Sequence, residues 1–230
     1  MLVPSPLGLL GAMDVEVSAV VAALEAPSQL NVLGHTVVDG RLCGHRVLVA
    51  CSGIGKVNAA LATAALAQAG ALAVVLVGMA GATGPAVHIG DAVVATELIQ
   101  HDVDITALGD APGFINGRPA GGTPDARLSD AIAAGAAQLG ANVHRGLIAS
   151  ADQFVASPQQ SLDIAARFDA VAVEMEGASV AQACGHLGLP FAVLRWISDA
   201  ADEAAPADFP AFADRVAQLD LAVIQTLLQG

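Results

Sequence analysis

Apolar runs of strand length alternate along the chain with Ala-rich segments of helical length. Short apolar runs bounded by turn residues predict strands, and longer segments of small and apolar residues predict helices. The predicted strands are residues 7–12, 33–39, 46–51, 72–77, 87–96 and 143–149, followed by the runs that begin at Val171 and Phe191. The predicted helices are residues 13–25, 57–69, 125–139 and 209–228, with one more before each of the last two strands.

This alternation predicts a mostly parallel or mixed central sheet covered by helices, with a hairpin formed by the strands 33–39 and 46–51. Two segments are predicted as loops: the small-residue stretch 78–82, on which a ligand could lie against bare backbone, and the Gly- and Pro-rich stretch 108–124. No linker interrupts the 230 residues. We therefore expect a single domain over residues 1–230.

The composition limits the classes of partner. Hydrophobic residues make up 55% of the chain and aromatic residues only 3%, so the core must be aliphatic. The net charge is -13 and the 9 basic residues are scattered, which argues against a nucleic-acid partner. The 3 cysteines are far apart, as expected for free thiols in a reducing compartment. With no signal-peptide pattern and no apolar run long enough for a membrane span, we expect a cytoplasmic protein without membrane contact.

The segment 170–199 carries the densest candidate chemistry. Two strand-like runs, separated by enough residues for one crossover helix, each end in charged or hydroxyl groups, which is the form of a βαβ unit. Ligands of open α/β sheets collect at the carboxyl ends of strands. These ends supply Glu174, Glu176, Arg195, Ser198 and Asp199 as candidates for one pocket. The alternative is that the charges only solvate strand ends, which would suit one such charge better than five in a charge-poor chain.

Other candidates have plausible structural explanations. Glu16 lies in the first turn of a predicted helix, where acidic residues interact favourably with the helix dipole, and local sequence favours that simple role. Phe154 follows a strand and could pack in the core or stack on a flat ligand. The sequence 101–104, His-Asp-Val-Asp, could bind a metal, but without a second cluster a satisfied turn is favoured.

The glycine turn at 52–56, Ser-Gly-Ile-Gly-Lys, lies between a strand and a helix, as phosphate-binding loops do. A Walker A loop is excluded, because Ala50 and Val57 stand where it needs Gly and Ser or Thr. The dinucleotide fingerprint is excluded by Asn58 at its third small position. A turn that packs strand closely on helix, with N–H groups toward a pocket rim, is what this segment predicts.

Taken together, the motifs resemble a known family. They are Gly11-Ala12-Met13-Asp14-Val15-Glu16, the glycine turn 52–56, Gly90-Asp91-Ala92-Val93-Val94, the segment 101–106, Gly146-Leu147-Ile148, Val173-Glu174-Met175-Glu176 and Arg195-Trp196-Ile197-Ser198-Asp199. Their order and spacing resemble those of 5'-methylthioadenosine/S-adenosylhomocysteine nucleosidases, from residue 7 to about residue 228. The resemblance implies a nucleoside phosphorylase-like fold, a three-layer α/β/α sandwich with a mixed central sheet. It also implies no metal, no other cofactor and a homodimer.

The resemblance also implies roles in breaking the N-glycosidic bond, a reaction that leaves positive charge on the ribose and negative charge on the departing adenine. Asp199 would protonate adenine at N7 with Ser198 orienting it, and Glu16 would activate water. Asp199 must then be protonated when it acts, so we expect burial to raise its pKa, while Glu16 must stay ionised.

Further residues would bind the substrate. Glu176 would hold the ribose hydroxyls with help from Arg195, whereas Glu174 has no firm role and would bind backbone near the ribose. The remaining implied contacts are Met175 on the sugar, Phe154 stacked on adenine, main-chain groups of Val155 and Val173 near the base, Phe209 over the site, and Met79, Ala80 and Gly81 in the small-residue segment. The 108–124 loop would reach the 5' pocket of the partner subunit.

The chain departs from the family pattern at several positions. Met79 stands where Ser is usual, Leu108 and Asp110 stand where aromatic residues are common, and Trp196 replaces a small residue. These changes bear on the preference for the 5'-substituent and on rate.

Three alternatives remain open on sequence alone. A purine nucleoside phosphorylase of the same superfamily would need cationic groups for phosphate, whereas the first loop offers Asp14 and Glu16. A futalosine-type nucleosidase could use the same residues. A catalytically silent nucleoside-binding module is disfavoured by the presence of both Glu16 and Asp199.

Overall fold

The structure is a computed structural model that describes residues 3–202 and 204–230, and within the last helix it describes the side chains outside 206–211 and 214. The strands are β1 Leu7–Gly11, β2 Glu25–Val32, β3 His35–Leu42, β4 His45–Cys51, β5 Ala73–Leu76, β6 Met79–Ala82, β7 Ala92–Gln100, β8 Phe114–Ile115, β9 Arg118–Pro119, β10 Gly121–Gly122, β11 Val143–Ser150, β12 Ala170–Glu174 and β13 Phe191–Asp199. The helices are α1 Asp14–Ala23, α2 Lys56–Gln68, α3 Ala126–Gln138, α4 Pro158–Phe168, α5 Gly177–Leu187 and α6 Ala205–Gln229, with a short 3-10 helix at Thr106–Leu108.

The central sheet is mixed and partly closed. Its 11 strands follow the order β10-β7-β11-β12-β6-β13-β5-β1-β4-β3-β2, and β7 also pairs with β13. The strands β7, β11, β12, β6 and β13 therefore form a closed ring, from which β5, β1, β4, β3 and β2 extend as an open sheet. Long β13 joins the two parts, since it pairs first with β5 and then with β7 and β6.

Helices cover both faces of this sheet. One apolar cluster joins the α1, α3 and α6 side chains to one face, and a second joins α2 and α5 to the other. Along β1, Leu7 and Leu9 belong to the first cluster and Leu10 to the second, as period-two alternation in a strand buried on both faces requires. The predicted α/β arrangement, with a mixed sheet between two helical layers, is confirmed. In the part of the chain described, no helix combines the length and apolar character needed to cross a membrane.

Two predictions about local structure were wrong. Helix α1 ends at Ala23, and Glu25–Val32 forms an edge strand antiparallel to β3, where a continuing helix and a connection were expected. This strand is exposed along nearly its whole length and contains Pro27, so it lacks the alternation that marks a half-buried strand. The segment 108–124 also holds more structure than a loop, because it contains the β8–β9 hairpin and β10, which pairs with β7.

Two further corrections concern the strands around the candidate site. The segment predicted as a small-residue loop forms β6, which pairs antiparallel with β12 and parallel with β13. The strands β12 and β13 are consequently not the adjacent parallel pair of a βαβ unit, since β6 lies between them. Short side chains at Ala80, Gly81 and Ala82 suit a strand inside a narrow ring, where pairing on both edges overrides the weak strand propensity of small residues.

Candidate active site

A pocket opens at the end of the closed ring, where β6, β12 and β13 meet the first turn of α1 and the segment after β11. Including the open space at its mouth, it measures about 630 Å³. Its lining is Ala12, Met13, Glu16, Ile54, Met79, Ala80, Gly81, Gln153, Phe154, Val155, Val173, Glu174, Met175, Glu176 and Asp199.

Glu16 lies at the start of α1 and is buried. Its Oε2 accepts hydrogen bonds from the N–H groups of Ala12 at 2.7 Å and Met13 at 3.0 Å, and its Oε1 accepts from Met79 N at 3.0 Å. Burial raises the pKa of Glu16, while the charge of Arg195 and these N–H groups oppose the rise. Glu16 is therefore both a helix-start residue and a pocket residue, so the two interpretations of its sequence position are compatible.

Gly78 makes this arrangement possible. Its φ of +135° suits glycine, and a Cβ there would lie 2.3 Å from Glu16 Oε1 and 2.7 Å from Arg195 Nη1. Such a side chain would displace both charged groups. The backbone before β6 can thus run directly between Glu16 and Arg195 only because this residue has no side chain.

Arg195 lies behind the pocket rather than in its wall. The fully buried guanidinium donates from Nη2 to Glu174 Oε2 and, at 3.0 Å, to Glu176 Oε2, and from Nη1 to the carbonyl of Val77 at 3.2 Å. Burial lowers the pKa of Arg195, but the charges of Glu174, Glu176 and Glu16 outweigh it and raise the pKa above its usual range. Its cation is therefore shared among three carboxylates.

Glu174 is occupied by contacts within the protein. Both carboxylate oxygens accept from Gly177 N, at 2.9 and 2.8 Å, and Oε2 also accepts from Glu176 N at 3.1 Å. Ser150 Oγ donates to Oε1 and Arg195 to Oε2. Glu174 thus connects the start of α5 to the end of β11 and to Arg195. Its role toward the substrate stays a prediction.

Glu176 faces the pocket directly before α5. Gly55 N donates to its Oε1 at 2.9 Å and Arg195 to its Oε2. Burial raises the pKa of Glu176 to about 7, although the charge of Arg195 opposes the change. The glycine turn at 52–56 accordingly contributes an N–H group to a carboxylate of the protein, which is a firmer function than the rim position predicted for it.

Asp199 ends β13, lines the pocket and lies beside Gly81. It is buried, and Ser198 Oγ donates to its Oδ2 at 2.7 Å while Ala201 N donates to its Oδ1 at 2.9 Å. The carboxyl is therefore held in one orientation by its sequence neighbours.

The wall away from the charges is apolar. Phe154 is 45% exposed and Ile54 is 52% exposed, although both line the pocket. Val155 and Val173 are buried beside them, and Met175 lies next to Glu176. A flat, mostly apolar group would fit this side of the pocket.

Most of the sequence-predicted site residues lie together. Glu16, Asp199, Glu174, Glu176, Met175, Met79, Ala80, Gly81, Phe154, Val155 and Val173 all line the pocket. Ser198 and Arg195 lie directly behind it. The side chain of Phe209 lies outside the described residues.

Sequence reasoning did not assign Ala12, Met13, Ile54 and Gln153, which also line the pocket. Each adjoins a residue or motif that was recognised, so proximity to Glu16, the glycine turn and Phe154 was the available signal. Ser150 was also missed, because only the fold brings its hydroxyl to Glu174.

The His-Asp segment forms a turn beside the pocket. Asp102 pairs with Lys56 Nζ at 2.7 Å, and Asp104 accepts from Thr106 N at 2.9 Å. Among the side chains that the structure describes, no group of three or more His, Cys, Asp or Glu residues is arranged to hold a metal ion.

Known proteins resemble this chain over nearly its whole length. A family model for the phosphorylase superfamily matches residues 6–229. The 5'-methylthioadenosine/S-adenosylhomocysteine nucleosidase of Shewanella halifaxensis is 40% identical over 206 residues, 88% of this chain and 90% of the relative.

Solved structures agree with this assignment. A futalosine hydrolase mutant of Helicobacter pylori has a TM-score of 0.92 at 34% identity, covering 98% of this chain and 99% of its own. The 5'-methylthioadenosine/S-adenosylhomocysteine nucleosidase of Neisseria meningitidis, in complex with methylthio-immucillin-A, has a TM-score of 0.91 at 37% identity, covering 97% and 98%. The nucleoside phosphorylase-like fold predicted from sequence is confirmed. The chain belongs to the phosphorylase superfamily and, within it, to the 5'-methylthioadenosine/S-adenosylhomocysteine nucleosidase family, and it is an N-glycosyl hydrolase.

Proposed function

We propose that this enzyme hydrolyses the N-glycosidic bond of 5'-methylthioadenosine and S-adenosylhomocysteine, releasing adenine and the 5-thioribose product. The observation that carries the proposal is the placement of two buried carboxyl groups along β6. Glu16 accepts from Met79 N, and Asp199 lies against Gly81. Met79 and Gly81 are two residues apart, and two residues of a strand span about 7 Å. This separation leaves room for a ribose and the first ring atoms of a base, with Glu16 on the side of the attacking water and Asp199 on the side of the leaving base.

On the nucleophile side, Glu16 accepts a proton from water as the water oxygen bonds to C1' of the ribose. Three N–H groups hold the carboxylate in place and, with Arg195, favour its ionised form against burial. A base that is ionised and fixed in place before the substrate arrives needs little reorganisation during the reaction.

On the leaving-group side, Asp199 donates its proton to N7 of adenine as the bond between C1' and N9 breaks. The electron pair of that bond goes to the purine, which leaves as neutral adenine because N7 is protonated. Ser198 and Ala201 N fix the carboxyl group, so the proton is presented in one direction.

Between these groups, Glu176 accepts hydrogen bonds from the ribose hydroxyls, and Met175 packs on the sugar. Arg195 is a positioning residue here, since it reaches the substrate only through Glu176. Phe154 stacks on adenine, main-chain groups of Val155 and Val173 contact the base, and β6 contributes Met79, Ala80 and Gly81 to the wall.

Water is a better nucleophile for this pocket than phosphate. Among the described lining residues there is no Lys or Arg, and the nucleophile side is occupied by a carboxylate. The one buried guanidinium nearby already bonds two carboxylates. A phosphate dianion would be repelled there.

The test is an adenine-release assay on both nucleosides, with and without inorganic phosphate. We expect release from both at a rate independent of phosphate. Strict dependence on phosphate would instead establish the phosphorylase, and adenosine binding without cleavage at high enzyme concentration would establish a silent binding module.

Futalosine-type hydrolysis is the second candidate activity, favoured by the similarity to the Helicobacter pylori futalosine hydrolase structure. The adenine and water machinery described above would serve it unchanged, so the difference lies at the 5' end of the substrate. Including an adenine-bearing futalosine analogue in the same assay, over a range of concentrations, ranks the candidates by kcat/KM.

We also propose a homodimer in which the 108–124 loop lies near the 5' pocket of the partner subunit. Val57 and Leu61 lie one turn apart on α2 and are 69% and 48% exposed, and Leu108 is 83% exposed. Such exposed apolar side chains are typical of a contact surface. Sedimentation analysis should give a dimer, and Val57→Asp with Leu61→Asp should give a monomer with a raised KM. A wild-type monomer would contradict the proposal.

The cytoplasmic location expected from the sequence stays a prediction.

A further inference from the structure

The only tryptophan of the chain forms a buried pair with an acidic residue behind the pocket. Trp196 Nε1 donates to Asp220 Oδ1 at 2.9 Å, and both side chains are buried. Asp220 lies on α6 among apolar side chains that include Val216 and Val223, and in the described part of the chain its Oδ2 has no hydrogen-bond partner. The mechanism proposed above gives neither residue a function.

A short series of contacts joins this pair to Glu16. Trp196 N donates to the carbonyl of Gly78 at 2.8 Å, and Trp196 is the strand partner of Met79. Met79 N then donates to Glu16 Oε1. Because Gly78 and Met79 lie between β13 and Glu16, a displacement of β13 at Trp196 would move the N–H group that Glu16 accepts.

The same pair also bears on Arg195. Neighbouring side chains of a strand point to opposite faces, so Trp196 lies on the α6 side while Arg195 points toward Glu174 and Glu176. Anchoring the indole to α6 therefore limits rotation of β13 at the position from which the guanidinium extends. The hydrogen bond between the two buried side chains restricts the movement of β13 relative to α6.

We propose that Trp196 and Asp220 are positioning residues, whose mutual hydrogen bond fixes β13 against β6 and thereby holds Glu16 and Arg195 in their working geometry. The inference rests on the hydrolytic function proposed above. It assigns a use to Trp196, the residue at which this chain departs from the small side chain usual in its family. Neither side chain contacts the substrate, so both act through Glu16 and Arg195.

The titratable or charged groups around Glu16 determine which pH readout is informative. They are Arg195 on β13, Glu176 before α5, Cys51 on β4 and Asp220 on α6. Loosening the Met79 N–H bond removes one of the contacts that lower the pKa of Glu16. We therefore expect the acidic limb of the kcat profile, where Glu16 must lose its proton, to move to higher pH.

The experiment compares Trp196→Phe, Asp220→Leu, the double variant and Asp220→Asn. Trp196→Phe keeps a large ring without the N–H donor, and Asp220→Asn keeps an acceptor oxygen. Displacing a catalytic group by a fraction of an ångström costs about tenfold in rate, so we expect that loss in kcat for Trp196→Phe and Asp220→Leu, with KM within about twofold. Residues that act as a unit are not additive, so the double variant should lose about as much as either single variant.

Asp220→Asn should restore most of the rate, because its amide oxygen can accept the indole N–H. Ile132→Ala is the matched control: it opens the same apolar cluster from α3, lowers the melting temperature, and should leave kcat and the pH limb unchanged. Rates are corrected for the folded fraction by circular dichroism.

Wild-type kcat and an unmoved pH limb in Trp196→Phe would overturn the inference, as would Asp220→Asn being as impaired as Asp220→Leu. Should Asp220→Leu fail to fold, Trp196→Phe and Asp220→Asn still decide the matter. A wild-type enzyme that releases no adenine would overturn the proposed function instead, which keeps the two failures distinct.

Discussion

The floor and the rim of the pocket are built in contrasting ways. The floor consists of Glu16, Glu174, Glu176 and Asp199, and Arg195 lies directly behind it. All five side chains are buried, and each is held by two or more contacts within the chain. The rim consists of Ile54 and Phe154, which are apolar and about half exposed. The floor is organised before any ligand arrives, whereas the rim still has apolar surface to bury.

This difference separates two contributions to catalysis. Fixed charged groups lower the barrier because they need no reorganisation at the moment of reaction. Apolar surface contributes affinity through area removed from water, and it acts on substrate and transition state alike. Changes in the floor should therefore appear in kcat, and changes in the rim should appear in KM.

The largest expected effect is at Asp199. Asp199→Asn keeps the shape of the side chain but cannot donate a carboxylic proton to N7, so kcat should fall by about 10²–10⁴-fold. Affinity for an unreactive nucleoside analogue should stay within about threefold of wild type, since the contacts that bind remain. Adenine release sampled at fixed times gives kcat, and calorimetric titration gives the affinity for the analogue. The control is Asp163→Asn, the same substitution at an exposed position on α4. Near-normal turnover by Asp199→Asn would remove Asp199 from the mechanism.

Glu16→Gln should come next, with kcat reduced by about 10²–10³-fold, because a neutral amide cannot accept the proton of water. The substitution should also abolish the acidic limb of the pH profile of kcat. Burial raises the pKa of Glu16, and this pKa sets the position of that limb in the wild type. The exposed change Glu97→Gln on β7 controls for a general loss of negative charge. An unchanged hydrolysis rate would show that another group activates water.

A smaller effect of another kind is expected at the rim. Phe154→Leu keeps an apolar side chain but loses the ring face, so KM should rise by about tenfold, the cost of one base–aromatic stack, with kcat within about twofold. Steady-state kinetics on 5'-methylthioadenosine provide the measurement. Phe168→Leu on α4 removes a ring away from the pocket and is the matched control. A fall in kcat without a change in KM would break the contrast between floor and rim.

The smallest effect concerns stability. Burial raises the pKa of Glu176 from 4.5 to about 7, so the folded chain retains a proton that the unfolded chain loses within this range. The resulting stabilisation is fully present below the unfolded value and is lost as pH rises through about 7. The melting temperature of the unliganded enzyme should therefore decline between about pH 5 and pH 8, and less steeply in Glu176→Gln. Identical slopes in the two proteins would contradict this.

Sequence patterns predicted the floor well because its residues follow strongly apolar strands. Glu174 and Asp199 end buried runs, and such runs are reliable signals of central strands. Glu16 was harder, since a first-turn acidic residue has an adequate local explanation. Only the fold, which brings Met79 from 63 residues further along the chain to its carboxylate, shows that Glu16 also lines the pocket.

The failures share a physical cause: pairing with another strand, and not the pattern of the segment itself, decided the local structure. Exposed Glu25–Val32 is a strand because β3 offers it an edge, and Met79–Ala82 is a strand because β12 and β13 pair with it on both sides. Neither segment has the alternation of apolar and polar residues that predicts a strand. The closing β7–β13 pair likewise has no local signature, so the ring could not be predicted.

The sharing of one guanidinium by Glu16, Glu174 and Glu176 has a consequence for how ligands bind. Because burial raises the pKa of Glu176 to about 7, its carboxyl group carries a proton in the unliganded enzyme at pH values below about 7. A ligand with a fixed positive charge at the sugar position takes over the role of that proton and expels it to the buffer. Cation binding is then a proton exchange, so inhibitors that mimic the charged ribose should gain affinity as the solution becomes more alkaline, while neutral nucleosides should not.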